Sequence, residues 1–150
     1  MITVVVADPR APACAALLAE AQAVQASTYP PEHNHSLSAD ELAAPGVHFF
    51  AAYFRTSIVG VGAVMLKGDY GEVKSMFTAT EARGAGIGVA LLERLEQAAR
   101  DAGCGALRLE TGDELAAAVR LYGRFGFARC GAFGAYVDDG SSVFMEKRLV

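Results

Sequence analysis

The sequence has no lysine between Lys74 and Lys147. That gap excludes a nucleotide loop closed by Gly-Lys-Ser or Gly-Lys-Thr from the glycine-rich stretch lying between them. Cysteine is scarce: Cys14, Cys104 and Cys130 are an odd, scattered set without Cys-x-x-Cys spacing, which argues for reduced thiols and against disulfides or a zinc site. No metal is expected. Apart from Lys147-Arg148 there is no basic cluster, and the formal net charge is −4, so nucleic acid is not an expected partner. The longest apolar runs, Val47 to Phe54 and Ile58 to Leu66, fall far short of the ~18 to 20 residues a membrane helix requires. The opening MITVVVADPR lacks a basic segment leading into an apolar helix and a small-residue cleavage site, so no secretory signal is expected and a cytoplasmic location is.

What is present suits one domain spanning 1–150, long enough to bury roughly two thirds of its unfolded surface. Its organising stretch runs from Glu72 to Gly103. Glu72 to Thr78 is strand-like, and Arg83-Gly84-Ala85-Gly86-Ile87-Gly88 then leads into a helix on which Ile87, Leu91, Leu92, Leu95, Ala98, Ala99 and Ala102 recur at three- and four-residue spacing. Gly103 is placed to end it. A helix start carries unpaired N–H groups and the positive end of the dipole, so a glycine turn there forms a cradle for phosphate oxygens. A dinucleotide fingerprint begun at Gly84 and Gly86 would put its third glycine on Val89, which disfavours that reading.

Elsewhere, Ile2 to Ala7 reads as a strand and Ala11 to Ala26 as a helix. Ser27 to Leu37, with two prolines, reads as an exposed loop. Ser38 caps a short helix that ends near Pro45-Gly46. Val47 to Phe54, Ile58 to Leu66 and the central strand form an antiparallel meander. Ala106 to Thr111 is a further strand, Asp113 opens a helix to about Phe125, and Phe127 to Phe133 and Val143 to Leu149 close the chain as strands. The order implies an α/β fold with a mixed sheet and a right-handed crossover.

Arg83-x-x-Gly86-x-Gly88 after a strand resembles the acyl-coenzyme A motif of the GNAT N-acetyltransferase superfamily, and Leu121-Tyr122-Gly123-Arg124-Phe125-Gly126-Phe127 is similar to its Leu-Tyr-x-x-x-Gly-Phe signature. The likeness runs from about Val59 to the C-terminus. It implies a mostly antiparallel sheet with a central, splayed parallel strand pair, flanked by about four helices, and acetyl-coenzyme A as donor. It further implies pantetheine contacts from Met76, Phe77 and Thr78 and phosphate contacts from Arg83 to Val89, Ala85 and Ile87 included. Many members have an asparagine seven residues before the tyrosine where this chain has Leu115, so Asp113 or Glu114 is expected to compensate.

Acetyl transfer to an amine needs an unprotonated amine, a stabilised oxyanion and a proton for the leaving thiolate. The resemblance makes Tyr122 the general acid and Glu72, eleven residues before Arg83, the general base. Period-two alternation would put Glu72, Lys74, Met76 and Thr78 on one strand face. Glu110, on the next strand, is the alternative base. His33 and His35 in the proline loop, with Tyr136, Asp138 and Asp139 in the tail loop, are expected around the acceptor, a small-molecule or peptide amine. An exposed strand or helix face could pair two copies as a homodimer. The competing function is an acyl-coenzyme A sensor without turnover.

Overall fold

The structure, a computed structural model, describes residues 1–149. Along them lie β1 (Ile2–Val6), α1 (Pro12–Thr28), α2 (Ala39–Leu42), β2 (Val47–Phe54), β3 (Ser57–Leu66), β4 (Tyr70–Thr78), α3 (Ile87–Asp101), β5 (Ala106–Gly112), α4 (Ala116–Phe125), β6 (Ala128–Arg129) and β7 (Ser142–Arg148). The strands form one sheet in the order β1-β2-β3-β4-β5-β7-β6. Every pairing is antiparallel except β4 with β5, as the sequence led us to expect. No helix of the described residues is long and apolar enough to cross a membrane.

The parallel pair is short. Tyr70, Gly71 and Glu72 pair with Ala106, Leu107 and Arg108, and beyond them β4 keeps only β3 while β5 keeps only β7. A bulge accompanies the parting. Ala63 pairs with Lys74 but Val61 pairs with Phe77, so Gly62 opposes both Ser75 and Met76, and Ser75 takes a φ of 58°. Bulges bend a strand and sharpen its twist, which turns the end of β4 away from β5 and opens a V between two unpaired strand edges.

The bulge also corrects the alternation expected of β4. Lys74 and Phe77 share one face with Ala63 and Val61, whereas Met76 packs with Val73 on the other. Thr78 pairs with Gly60, which lies under Ile87 of α3. Glu72 and Lys74 therefore do not share a face with Met76 and Thr78.

Two cores cover the sheet. On one face α3 buries Ile87, Leu91, Leu92, Leu95, Ala98 and Ala99 against Phe50, Val64, Val73 and Leu107, each large side chain contributing about 1.5–3 kcal/mol. Gly103, at a φ of 83°, follows this helix as expected. On the other face α1 buries Cys14 and Leu17 over Phe49, Ala51, Val61 and Ala63.

Two expectations near the C-terminus need correction. The last helix starts at Ala116, not Asp113, because the Asp113 N–H donates to the Ser141 carbonyl at 3.0 Å and fixes a turn there. The strand expected over Phe127 to Phe133 shrinks to Ala128–Arg129. Phe133 instead turns its ring onto Phe144, Tyr70 and Tyr136, with centroids 5.3–5.8 Å apart, and Gly134 beside it takes a φ of 58°.

Candidate active site

A cleft of about 810 Å³ occupies the V between β4 and β5. The turn before α3 and the flank of α4 form one end, and the loop after α1 closes the other.

At the first end, Gly84 and Gly86 have φ of 83° and 86°, and a Cβ on Gly84 would meet nothing within 4 Å. Gly86 caps α3 in the left-handed conformation, leaving the helix-start amides open to an anion. The Arg83 Nε donates to the Thr78 carbonyl at 3.2 Å, and its guanidinium lies 5.5 Å from the centre of the Phe77 ring. Arg124 of α4 adds a second cation to the lining. Two arginines, a helix N-terminus and an open glycine turn fit a polyphosphate. Met76, Phe77, Thr78, Ile87 and Val89 also line the cleft, whereas Ala85 does not. Gly88 has a different reason to be glycine: a Cβ there would come within 2.7 Å of Leu121 Cδ2, so its smallness lets α3 meet α4.

Tyr122 is buried edge-on against Phe127 and reaches the cleft lining. Among the described residues no protein group hydrogen-bonds its hydroxyl. Burial first, and then the negative charge of Glu110, raise this phenol well above its ordinary range. It is a protonated, uncommitted donor. Leu115 and Glu114 also line the cleft, Glu114 giving only its backbone N–H to Tyr29, whereas the Asp113 carboxylate accepts from the Tyr29 hydroxyl outside the lining.

At the other end Glu110 lines the cleft and its Oε2 accepts from the Ser142 hydroxyl at 2.6 Å. Glu72 is buried and lies outside the lining. Its Oε2 accepts from the Tyr136 hydroxyl at 2.5 Å and sits 3.6 Å from the Lys74 ammonium. Lys74 in turn donates to the Tyr136 hydroxyl and to the His35 carbonyl, both at 3.0 Å. Burial, and then the bond to Glu72, push the Tyr136 phenol above its usual range. Beside this group His33 Nε2 lies 3.2 Å from Asp139 Oδ2, and bonds from Ser141 hold that carboxyl below its ordinary range. The structure thus brings the proline loop and the tail loop together over β4, with His33 and His35 in the lining and Tyr136 behind it.

Tyr29 had no motif to announce it. Its hydroxyl accepts from the Glu114 N–H at 2.7 Å and donates to Asp113 Oδ1 at 3.1 Å. Its ring covers Gly112 so closely that a Cβ there would fall 2.1–2.5 Å from it. The end of α1 is thereby locked to the turn before α4. Tyr29→Phe is expected to cost about 0.5–1.5 kcal/mol of stability, the net worth of a typical hydrogen bond, since the groups left on the exposed residues Asp113 and Glu114 can turn to water. Denaturant unfolding checks this, and an unchanged midpoint would contradict it.

Residues 15–127 match the model of the acetyltransferase (GNAT) family. The chain is 43% identical over 150 residues to an IAA acetyltransferase of Azospirillum brasilense, covering 99% of this chain and 98% of that one. It is 34% identical to the uncharacterized N-acetyltransferase YedL of Escherichia coli, covering 99% and 96%. A Klebsiella pneumoniae protein solved under the designation acyl-CoA N-acyltransferase superposes with a TM-score of 0.83 at 35% identity, over 100% of this chain and 99% of that one. A Thermoplasma acidophilum PaiA N-acetyltransferase solved with coenzyme A shares the fold, with a TM-score of 0.80 at 18% identity over 99% of both chains.

Proposed function

Because the chain belongs to the acetyltransferase (GNAT) family, we propose that its cleft carries the acetyl group of acetyl-coenzyme A directly to a primary amine of a small molecule or peptide. The observation that carries this reading is the convergence, in one opening, of an anion cradle at Gly84 and Gly86, the free hydroxyl of Tyr122 and the carboxylate of Glu110. The donor supplies a thioester-activated acetyl group. Arg83, Arg124 and the amides opening α3 hold its phosphates, and the unpaired edge of β4 from Val73 to Thr78 offers backbone groups to an extended ligand and to the developing oxyanion. Tyr122 gives up its proton towards the leaving sulfur. No cysteine lines the cleft, which favours direct transfer over an acyl-enzyme.

Glu110 is the group placed to receive the amine. Glu110 works by drawing in the cation through its charge, and water takes up the proton that the amine gives up. Glu72 acts through its contacts, holding Tyr136 and Lys74, and so is a positioning residue. Glu110→Gln is expected to lower kcat/KM for a good amine by ~10²-fold or more, measured as thiol release across pH. Wild-type values at every pH would show that the enzyme selects the neutral fraction of its amine without a base.

A further inference from the structure

We propose that the acceptor is an organic cation bearing no carboxylate next to its amine, and that free amino acids are rejected by charge. This rests on the transferase reading above and names its substrate class.

Charges on the face where the acceptor must sit are nearly balanced before it arrives. Lys74 and Arg108 are the cations that β4 and β5 present there, and both are already matched. Lys74 stands 3.6 Å from Glu72, with side-chain exposures of 10% and 7%, so this pair is neutral and largely dry. Its hydrogens are also drawn to the His35 carbonyl and the Tyr136 hydroxyl. Arg108 donates to Glu146 at 2.7 Å and lies under the rings of Tyr70 and Phe133, 4.5 and 5.9 Å from their centres. His33 faces Asp139.

Glu110 is different. Its one hydrogen-bonding partner among the described residues is the Ser142 hydroxyl, and no ion pair there includes it. The cations in the lining without a carboxylate partner are Arg83 and Arg124, at the phosphate end. An ammonium entering beside Glu110 completes a pair. A carboxylate carried in with it finds Lys74, Arg108 and His33 already facing carboxylates and meets the Glu110 charge, and juxtaposed like charges are costly.

The test compares amines with their carboxylated counterparts: phenethylamine against L-phenylalanine, and 1,5-diaminopentane against L-lysine. Each is titrated calorimetrically into the protein saturated with coenzyme A, and each is assayed for thiol release with acetyl-coenzyme A. The amines are expected to bind at least ~10-fold more tightly than the amino acids. In Glu72→Gln, which frees Lys74 of its counter-ion while still accepting from Tyr136, that ratio is expected to narrow. Equal affinity within the pairs, tighter binding of the amino acids, or binding by no amine overturns the proposal. Selective binding without thiol release would sustain it and overturn the transferase reading instead. Turnover without selectivity would do the reverse.

Discussion

Tyr122→Phe is expected to lower kcat by ~10² to 10⁴-fold, the range that a positioned general acid supplies. The affinity for acetyl-coenzyme A should stay close to wild type, because the ring packed on Phe127 is retained and its hydroxyl holds no protein partner. The direction of the pKa shift matters to the pH profile. Burial and Glu110 raise the phenol above its ordinary ~10, so Tyr122 stays protonated throughout the neutral and mildly basic range. Any basic limb below pH ~9 must then come from another group, since a phenol raised above ~10 is still protonated there. Steady-state rates under conditions where chemistry limits turnover give the answer. Full turnover in Tyr122→Phe would make the residue structural and leave protonation of the thiolate to solvent.

Gly86→Val is expected to raise the dissociation constant for acetyl-coenzyme A by at least ~10-fold. Gly86 caps α3 at a φ of 86°, a conformation that costs a non-glycine residue about 1–3 kcal/mol and a β-branched one more. The turn relieves that strain by moving, and the amides that face the phosphates move with it. The same substitution leaves the apolar face of α3 untouched, so the fold should survive. Calorimetric titration of a variant with a native near-ultraviolet spectrum decides the point. Unchanged affinity would remove the turn from the donor site.

Much of this architecture was legible because periodicity and punctuation agree along the central stretch. The apolar repeat from Ile87 to Ala99, the glycines before it and Gly103 after it define a strand-turn-helix unit without tertiary information. The parallel pair followed from the strand-helix-strand order, whereas the splay came from resemblance, since no local pattern marks where two strands part. The bulge at Ser75 was not legible either: a serine with positive φ is unusual, and alternation carried straight through it puts Met76 and Thr78 on the wrong face.

Sites built from distant segments show the same limit. Glu72 meets Tyr136 across 64 positions and Tyr29 meets Glu114 across 85. Such contacts depend on how two loops fold over the sheet, which spacing cannot encode. The sequence therefore marked Glu72, Glu110, His33, His35 and Tyr136 as candidates, while only the packed chain separates the carboxylate that lines the cleft from the one that braces it. Tyr29 is missed for a related reason, because its value lies in the missing Cβ of Gly112.

Direct acetyl transfer to an amine is tested most simply by isotopic tracing. The protein is incubated with acetyl-coenzyme A carrying carbon-13 in the acetyl group, together with phenethylamine and 1,5-diaminopentane, and both the small molecules and the intact protein are weighed by mass spectrometry. We expect the label in an amide of an added amine, one thiol released for each amide formed, and no acetylated protein on the path. Tight binding of acetyl-coenzyme A with no label reaching any amine would mean that the cleft holds the donor without transferring its acetyl group.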